Sequence, residues 1–405
     1  MDLLYARCAG LDVHPRSVSA CARIVDGAPV RHEVRTFGTS TRELAEMAEW
    51  LAGLGCTHVA MESTGVYWKP VWHVLEGRFE LVLANAMHIR NIPGRKSDVK
   101  DAVWIADLLA HGLLRGSFVP PERIQELRDL TRTRKQLVRE ITRHTQRIQK
   151  TLEDANVKLT EVISNVVGKS GRAILRALIA GETNVDRLVE LAGGRLKAPR
   201  QKLIDALQGR VTEHHRFMLR MHLEQLEHLE LAVREVEARA DQGPFRTAIE
   251  LLMTMPGVSD TTARVIVAEI GDDMTRFPTA GHLVSWAGLC PRLDESAGKT
   301  RSNRTRRGAP WLKTVLVQAA RGASNKRNSY ARAQYLRLKA RRGPNKAVLA
   351  VAASMLTAAY HMLKNGVEYR DLGPNHFQRD QQLQAKSLLR RLKALGLDVT
   401  VRPAA

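Results

Sequence analysis

Over residues 1–118, short apolar runs alternate with stretches in which apolar residues recur at the spacing of a helix. Three runs come first, each with the length and apolar content of a β-strand: YARCAGLDVH, SVSACARIVDG and RHEVRTFG. A helix with a Ser/Thr start and a glycine stop follows in STRELAEMAEWLAGLG, and after it come the strand THVAMEST, the short helix GVYWKPVWHVLEG and the strand ELVLANA. Strands joined by helical crossovers predict an α/β domain over residues 1–118, with a partly parallel sheet.

Residues 119–242 repeat apolar side chains at three- and four-residue spacing, which predicts a helical middle domain. The clearest stretches contain Leu127, Leu130, Leu137, Ile141, Ile148 and Leu152, and then Leu219, Leu223, Leu226, Leu229, Val233 and Val236. They indicate two long amphipathic helices, in either a coiled-coil hairpin or a dimer seam. Basic residues from Arg132 to Lys150 line the first helix, as either a solvated face or a surface for nucleic-acid backbone.

Residues 243–372 predict a further, mostly α-helical domain. The stretch LLMTMPGVSDTTARVIVAEIG is an apolar helix, a Pro-Gly turn and a second apolar helix. This is typical of a helix-hairpin-helix, whose turn binds phosphate through backbone N–H groups, or of an ordinary helical hairpin. An apolar helix is predicted at 345–365, and residues 373–405 predict a loosely attached tail.

The charge balance narrows the class of protein. The chain has 405 residues, enough for two or three domains, a formal net charge of +21 and a pI of about 10.3. Such a basic chain is expected to bind nucleic acid, and its aromatic content of 5% argues against a platform that stacks single-stranded bases. The four scattered cysteines indicate thiols in a reducing cytosol, and no apolar run approaches the ~18 residues of a membrane span.

Paired acids lie in the stretch GRKSDVKDAVWIADLL. Asp98 and Asp101 stand three residues apart at the start of a predicted helix, directly behind Arg95 and Lys96. Two carboxylates on one helix face repel each other unless a cation lies between them. Acids also favour the first turn of a solvated helix, which is the simpler explanation.

Two further acids are expected to join this pair. Asp12 ends the first predicted strand and Glu62 ends the strand after the first helix, and the ends of central strands gather functional residues in sheets of this kind. Asp12, Glu62, Asp98 and Asp101 together predict a site for Mg²⁺ or Mn²⁺, which prefer oxygen ligands. Two such ions about 4 Å apart would polarise a phosphodiester. Asp107, further along the helix, is an alternative to one of the pair.

A one-sided basic stretch runs from Lys299 to Lys346, with fifteen lysines and arginines and no acid. Exposed faces usually mix charges, so this stretch predicts phosphate contact. The residues expected to bind nucleic acid are Arg95, Lys96, Lys299, Arg301, Arg304, Arg306 and Arg307. Ser296 stands at the entrance to the stretch. A serine hydroxyl is a weak nucleophile without help, and the residues alone indicate an ordinary loop serine.

Three segments resemble the DEDD transposases of insertion-sequence family one-ten, also called bridge-RNA-guided recombinases. They are GLDVH, AMESTGVYW and GRKSDVKDAVWIADLL. The first domain of these transposases is ribonuclease-H-like, of the Holliday-junction-resolvase type. The resemblance covers most of 1–118 and resumes at about 247–322, where GLCPRLDESAGK is similar to the GLxPR and SG segments of the family's second domain. The family's nucleophilic serine matches Ser296. Two departures stand beside it: Ala297 follows the serine where the family commonly has glycine, and Arg304 replaces an apolar residue.

The resemblance implies a transposase or recombinase of a bacterial mobile element, working in the cytoplasm near the nucleoid. It implies that the four acids hold Mg²⁺ and that Ser296 forms a covalent link to double-stranded DNA. It also implies a structured non-coding guide RNA and a homo-oligomer, either a dimer or a tetramer. Two rivals remain open: a metal-dependent resolvase-like nuclease that does not use Ser296, and a non-enzymatic nucleic-acid-binding scaffold.

Overall fold

The structure is a computed structural model that forms two compact units, Met1–Pro120 and Pro121–Ala405. It describes residues 3–27, 29–62, 65–85, 89, 101–114, 116–192, 198–291, 294–296, 299–302, 305 and 308–398. For 294–296, 299–302 and 378–384 the description is of the backbone alone.

Five strands form one sheet in the first unit, in the order β3-β2-β1-β4-β5. The strands are β1 Arg7–Val13, β2 Ser17–Ile24, β3 Arg31–Gly38, β4 His58–Glu62 and β5 Glu80–Ala84, and the helices are α1 Thr41–Gly53, α2 Trp68–Leu75 and α3 Asp101–Ala110. The first three strands form an antiparallel meander, while β4 and β5 run parallel to β1. The prediction of a mixed α/β region with a partly parallel sheet is confirmed.

The two faces of β1 pack against different helices because successive side chains of a strand point to opposite faces. Ala9, Leu11 and Val13 lie in a core with α1 and α2. On the other face, the Sγ atom of Cys8 lies 3.6 Å from the carbonyl oxygen of Ala106 in α3. The sheet is therefore covered by helices on both faces, which explains why the residues of β1 are mostly buried.

The second unit is mostly helical. Its helices are α4 Glu122–Asp154, α5 Leu159–Val162, α6 Lys169–Ile179, α7 Val185–Leu191, α8 Arg200–Leu207, α9 Glu213–Asp241, α10 Arg246–Met253, α11 Asp260–Ile270, α12 Ala280–Trp286, α13 Pro310–Asn325, α14 Tyr330–Arg342, α15 Pro344–Asn365 and α16 Gln378–Ala394. Short 3₁₀ turns stand at Met274–Arg276 and Pro374–Phe377, and a two-stranded hairpin joins β6 Asp294–Ser296 to β7 Lys299–Ser302.

Helices α4 and α9 are the two long helices that the apolar spacing predicted, and they run antiparallel. Arg134 in the N-terminal half of α4 forms an ion pair with Glu237 near the end of α9. Asp154 at the end of α4 pairs with His215 near the start of α9. Four short helices, α5 to α8, lie between them in the chain. They build a hydrophobic core against the C-terminal part of α4 and the N-terminal part of α9. The opposite ends of the two long helices pack into a second, larger core with α10 to α15.

Helix α15 is the one described helix that is long and apolar enough to cross a membrane by composition. Half of its most apolar window is buried inside the second unit. Val351, Leu356 and Ala359 are among its side chains in the larger core. Packing within the protein therefore accounts for its apolar length.

Candidate active site

Asp12 and Glu62 lie at neighbouring carboxyl ends of the sheet in the first unit. Strands β1 and β4 are parallel partners, with Leu11 opposite Met61, so the next residues along the two strands are Asp12 and Glu62. Both follow the side-chain alternation onto the face of the sheet that α3 covers. The Asp12 side chain is 26% exposed, and its Oδ2 atom lies 3.1 Å from Nε2 of His14.

Helix α3 brings a third acid to this end of the sheet, because Gly10 allows the helix to approach β1 closely. A Cβ atom at Gly10 would lie 2.3 Å from the carbonyl oxygen of Ala102 and 2.4 Å from the nitrogen of Ala106. The carbonyl of Ala110 accepts a hydrogen bond from Leu4, just before the start of β1. The helix therefore runs antiparallel to β1, and its first residue, Asp101, stands towards the carboxyl end of β1.

The fourth acid, Asp98, lies outside the described residues, as do Arg95 and Lys96. Among the described side chains, no three His, Cys, Asp or Glu groups lie close enough together to hold a metal ion. The donor set nevertheless has suitable chemistry, since three carboxylates from separate segments share one end of the sheet and carboxylates are the ligands that hard divalent cations prefer. The acidic tetrad stays a prediction.

Asp107 has different partners, at the other end of β1. Its Oδ1 atom accepts hydrogen bonds from Nε of Arg23 at 2.9 Å and lies 3.0 Å from Nε2 of His32. Arg23 is opposite Cys8 in the sheet register, whereas Asp12 is opposite Ser19. Six residues of helix separate Asp107 from Asp101, about 9 Å along the axis. These contacts give Asp107 a structural role in fastening α3 to β2 and β3.

The Cys8 thiol, which contacts α3, and the Cys56 thiol are both unreactive. Burial raises the pKa of the Cys8 thiol to about 12, and burial likewise raises the pKa of Cys56 to about 11. A nucleophilic cysteine needs its thiolate near neutral pH. Neither thiol is therefore a candidate nucleophile.

In the second unit, α10 and α11 form the helical hairpin that the sequence predicted around its Pro-Gly turn. Gly257 has a φ of +81°, and a Cβ atom there would lie 2.3 Å from the carbonyl oxygen of Ala319 in α13. Glycine is required on both counts. The side chain of Ser259 caps α11 by accepting a hydrogen bond from the Thr262 nitrogen. Phosphate binding by this turn, as in a helix-hairpin-helix, stays a prediction.

Ser296 is the last residue of β6, paired with Lys299 across the hairpin, while Asp294 pairs with Ser302. The side chains of Ser296, Lys299 and Arg301 lie outside the described residues, as do Arg304, Arg306 and Arg307 entirely. This hairpin was not predicted, because DESAGKTRS has no apolar side chain larger than alanine and lacks the alternation of a half-buried strand.

Described residues before and after the hairpin contact one another. Thr305 forms a β-bridge with Pro291. The Nζ atom of Lys313 donates hydrogen bonds to Thr305 Oγ1 at 2.7 Å and to the Gly288 carbonyl at 3.0 Å. A Cβ atom at Gly308 would lie 2.3 Å from the Ala287 carbonyl oxygen. Thr305 and Gly308 are therefore held against the end of α12.

Sequence reasoning missed two features of these regions. The first is His14, which contacts Asp12. It is two residues from Asp12 in the GLDVH segment, so the contact could have been predicted from the sequence. Trp311, at the start of α13, has three cationic side chains of α4 around its ring. The signal for that contact is weak, because the partners are far apart in sequence and an aromatic residue in a basic stretch has many explanations.

Comparison with known proteins gives matches over both regions. A family model for DEDD transposases of the IS110 type matches residues 9–157, and a model described as "Transposase IS116/IS110/IS902 family" matches residues 249–336. The chain is 30% identical over 306 residues to a protein of Streptomyces coelicolor called "Insertion element IS110 uncharacterized 43.6 kDa protein". That alignment covers 70% of this chain and 74% of the relative. The two matched regions contain the acids and Ser296, respectively.

Proposed function

The chain belongs to the IS110 family of insertion-sequence transposases, and from this premise we propose that it cuts and rejoins double-stranded DNA with an acidic metal site and a serine nucleophile. The observation that carries the proposal is the arrangement of Asp12, Glu62 and Asp101 at one end of the sheet. The parallel pairing of β1 and β4 supports the nearness of Asp12 and Glu62, and the close packing of α3 on Gly10 supports the inclusion of Asp101.

DEDD transposases use divalent metal ions, and in this chain Asp12, Glu62, Asp98 and Asp101 would hold the ion, Mg²⁺ or Mn²⁺. When bound, the ion would polarise a phosphodiester and stabilise the charge of its displaced oxygen. The surrounding residues would orient the ligands. His14 is placed to hold the Asp12 carboxylate through the contact between Nε2 and Oδ2, which leaves the other carboxylate oxygen for the ion.

We assign the nucleophile to Ser296. Its Oγ atom attacks the phosphorus of a DNA phosphodiester, a phosphorus–oxygen bond to the serine forms, and the bond from phosphorus to a deoxyribose oxygen breaks. The departing DNA hydroxyl takes the proton that the serine gives up. Attack by the hydroxyl of another DNA end reverses these changes and rejoins the strands, so no external energy source is needed. The basic residues Lys299, Arg301, Arg304, Arg306 and Arg307 would bind the scissile phosphate and its neighbours.

Partners follow from the same family resemblance. We propose donor and target DNA duplexes, a structured non-coding guide RNA from the element, and a homo-oligomer, as a dimer or tetramer, in the bacterial cytoplasm. Two duplexes must be held at once, which favours more than one protomer. The net charge of +21 supports extensive contact with phosphates.

The test is the formation of excision circles from the parent element in cells. Wild type is compared with Asp98→Ala, Glu62→Gln and Ser296→Ala at equal protein levels, with Ser302→Ala as the control for loss of a serine in the same hairpin. We expect the first three variants to lose circles while still binding nucleic acid, and Ser302→Ala to keep making them.

The other outcomes identify the rivals. Circles from Ser296→Ala but not from Asp98→Ala would contradict the serine assignment and favour a metal-dependent nuclease. Circles from every variant would favour a non-enzymatic scaffold. Loss of circles with Ser302→Ala alone would identify Ser302, on the opposite strand of the hairpin, as the nucleophile.

A further inference from the structure

Three cationic side chains of α4 surround one aromatic ring in the second unit. The guanidinium carbons of Arg132 and Arg139 lie 5.4 Å and 5.9 Å from the centre of the Trp311 ring, and Nζ of Lys135 lies 4.9 Å from it. The cations are seven residues apart at most, so two turns of helix present them on one face. Cation–π contacts at these distances hold a cation in place without neutralising its charge.

Acidic side chains compensate only part of this charge. Glu269, 4% exposed, accepts hydrogen bonds from Arg132 at 2.9 Å and lies 3.9 Å from Arg128. Lys135 and Arg139 form no ion pair with the acids that the structure describes. Burial, and then the charge of Arg139, lower the pKa of the Lys135 ammonium group. The cluster therefore has an excess of positive charge and would gain from an anion.

The surroundings of Trp311 add to the positive field. Helix α13 begins one residue earlier, at Pro310, with no capping side chain and no acid in its first turn. Its partial positive end therefore points into the region that the cations already occupy. Lys313, in the same turn, donates a hydrogen bond to Thr305. The first turn of α13 therefore contacts both the cluster and Thr305.

We propose that Arg132, Lys135 and Arg139, held around Trp311, bind the phosphodiester backbone of a nucleic-acid strand. The site is an open face along a helix and not an enclosed cavity, since Arg139 is exposed and the other members are half-buried. An extended polyanion suits such a face better than a small anion, because successive phosphates can meet successive cations. The choice of ligand rests on the proposed function. DNA and RNA share this backbone chemistry, and the experiment distinguishes them.

The experiment measures binding of the full chain to a random-sequence DNA duplex and to an RNA hairpin, as a function of salt. The test variant is Lys135→Gln/Arg139→Gln. The control is Arg176→Gln/Arg246→Gln, which removes the same net charge. Each control arginine is 63% exposed and lies 2.6 Å from an acid, Glu227 or Glu250. Two lost phosphate contacts should reduce the slope of log K against log salt by about 2 for duplex DNA, with little change in the control.

Trp311 provides an independent test at constant charge. Trp311→Leu removes the ring that holds the cations and should weaken binding, whereas Trp311→Phe keeps an aromatic face and should bind nearly as wild type does. A slope change with only one of the two probes identifies the strand as DNA or RNA, and a change with both identifies a shared backbone site.

The inference is overturned if the test variant keeps the wild-type slope, if the control loses as much, or if Trp311→Leu binds as wild type does. Its failure is distinguishable from failure of the proposed function. In the first case Asp98→Ala, Glu62→Gln and Ser296→Ala still lose circles while the salt dependence of binding gives the contrary result. In the second case one or more of those three variants keep making circles, whatever the salt dependence shows.

Discussion

Replacing Gly10 with alanine should separate the helix α3 from the strand β1 and so move Asp101, one of the proposed metal ligands. The added Cβ would lie 2.3 Å from the Ala102 carbonyl oxygen and 2.4 Å from the Ala106 nitrogen. Both obstacles are helical backbone, so no side chain can rotate away. An ordinary contact distance is reached only if the helix retreats by roughly 1 Å.

The retreat has two costs that can be measured separately. Overpacking of this kind destabilises a protein by about 1–3 kcal/mol. The same movement shifts Asp101 relative to Asp12, and a misplacement of about 1 Å in an active site costs on the order of 100-fold in rate. We therefore expect Gly10→Ala to remain folded at growth temperature and yet to make far fewer excision circles.

The matched control is Gly53→Ala in the same unit. Gly53 is the last residue of α1, is exposed, and a Cβ atom there meets nothing within 4 Å. This substitution should leave activity unchanged and alter stability by no more than about 1 kcal/mol, in the stabilising direction. Urea denaturation measures both free energies of unfolding, and the circle assay measures both activities at equal protein level.

Wild-type activity from Gly10→Ala would refute the reasoning, because it would mean that the position of α3 does not matter to the reaction. Loss of activity together with complete unfolding would refute the magnitude. In that case Cys8→Ser, which keeps a small polar group opposite the Ala106 carbonyl, offers a milder disturbance of the same contact.

Three other predictions concern stability and the loop beside the hairpin. Glu269→Gln leaves Arg132 without its buried ionic partner, and urea denaturation should show a loss of about 3 kcal/mol, discounted for the partial exposure of the arginine; a loss below about 1 kcal/mol would contradict a structural role for the pair. Burial, with nearby positive charge, lowers the pKa of His144 and His222 below 6.5 in the folded chain, so the unfolded chain takes up protons first and the free energy of unfolding should fall as pH drops from about 6.5 through the folded pKa. His222→Leu should flatten that dependence in denaturation at a series of pH values, and parallel curves for the two proteins would be the contrary result. Gly308→Ala adds a Cβ atom that clashes with the Ala287 carbonyl and should reduce circle formation about 100-fold while nucleic-acid binding persists; an unchanged circle yield would mean that the chain at Gly308 tolerates displacement.

Local patterns predicted the strands around Asp12 and Glu62, the order of elements in the first unit, and the two long helices α4 and α9. These features depend on short-range alternation and on apolar spacing, which a single sequence displays. The pairing of Asp107 with Arg23 and His32 was not predictable, since those partners lie on strands more than seventy residues away. The hairpin that contains Ser296 could not be predicted because its two strands are polar and show no apolar alternation. The three cations meet the Trp311 ring only because α13 packs against α4. The spacing of residues along the chain does not predict that packing.

Helix α4 has a consequence for how the second unit loses its structure. It extends over Glu122–Asp154, about 50 Å, with Leu127 in one hydrophobic core and Leu152 in the other. Helix α9 joins the same two cores in the opposite direction, through Ala240 and Leu223. Neither core can open fully without releasing a helix that the other core needs. The two cores are therefore a single cooperative folding unit, and damage at one end lowers the melting temperature of both.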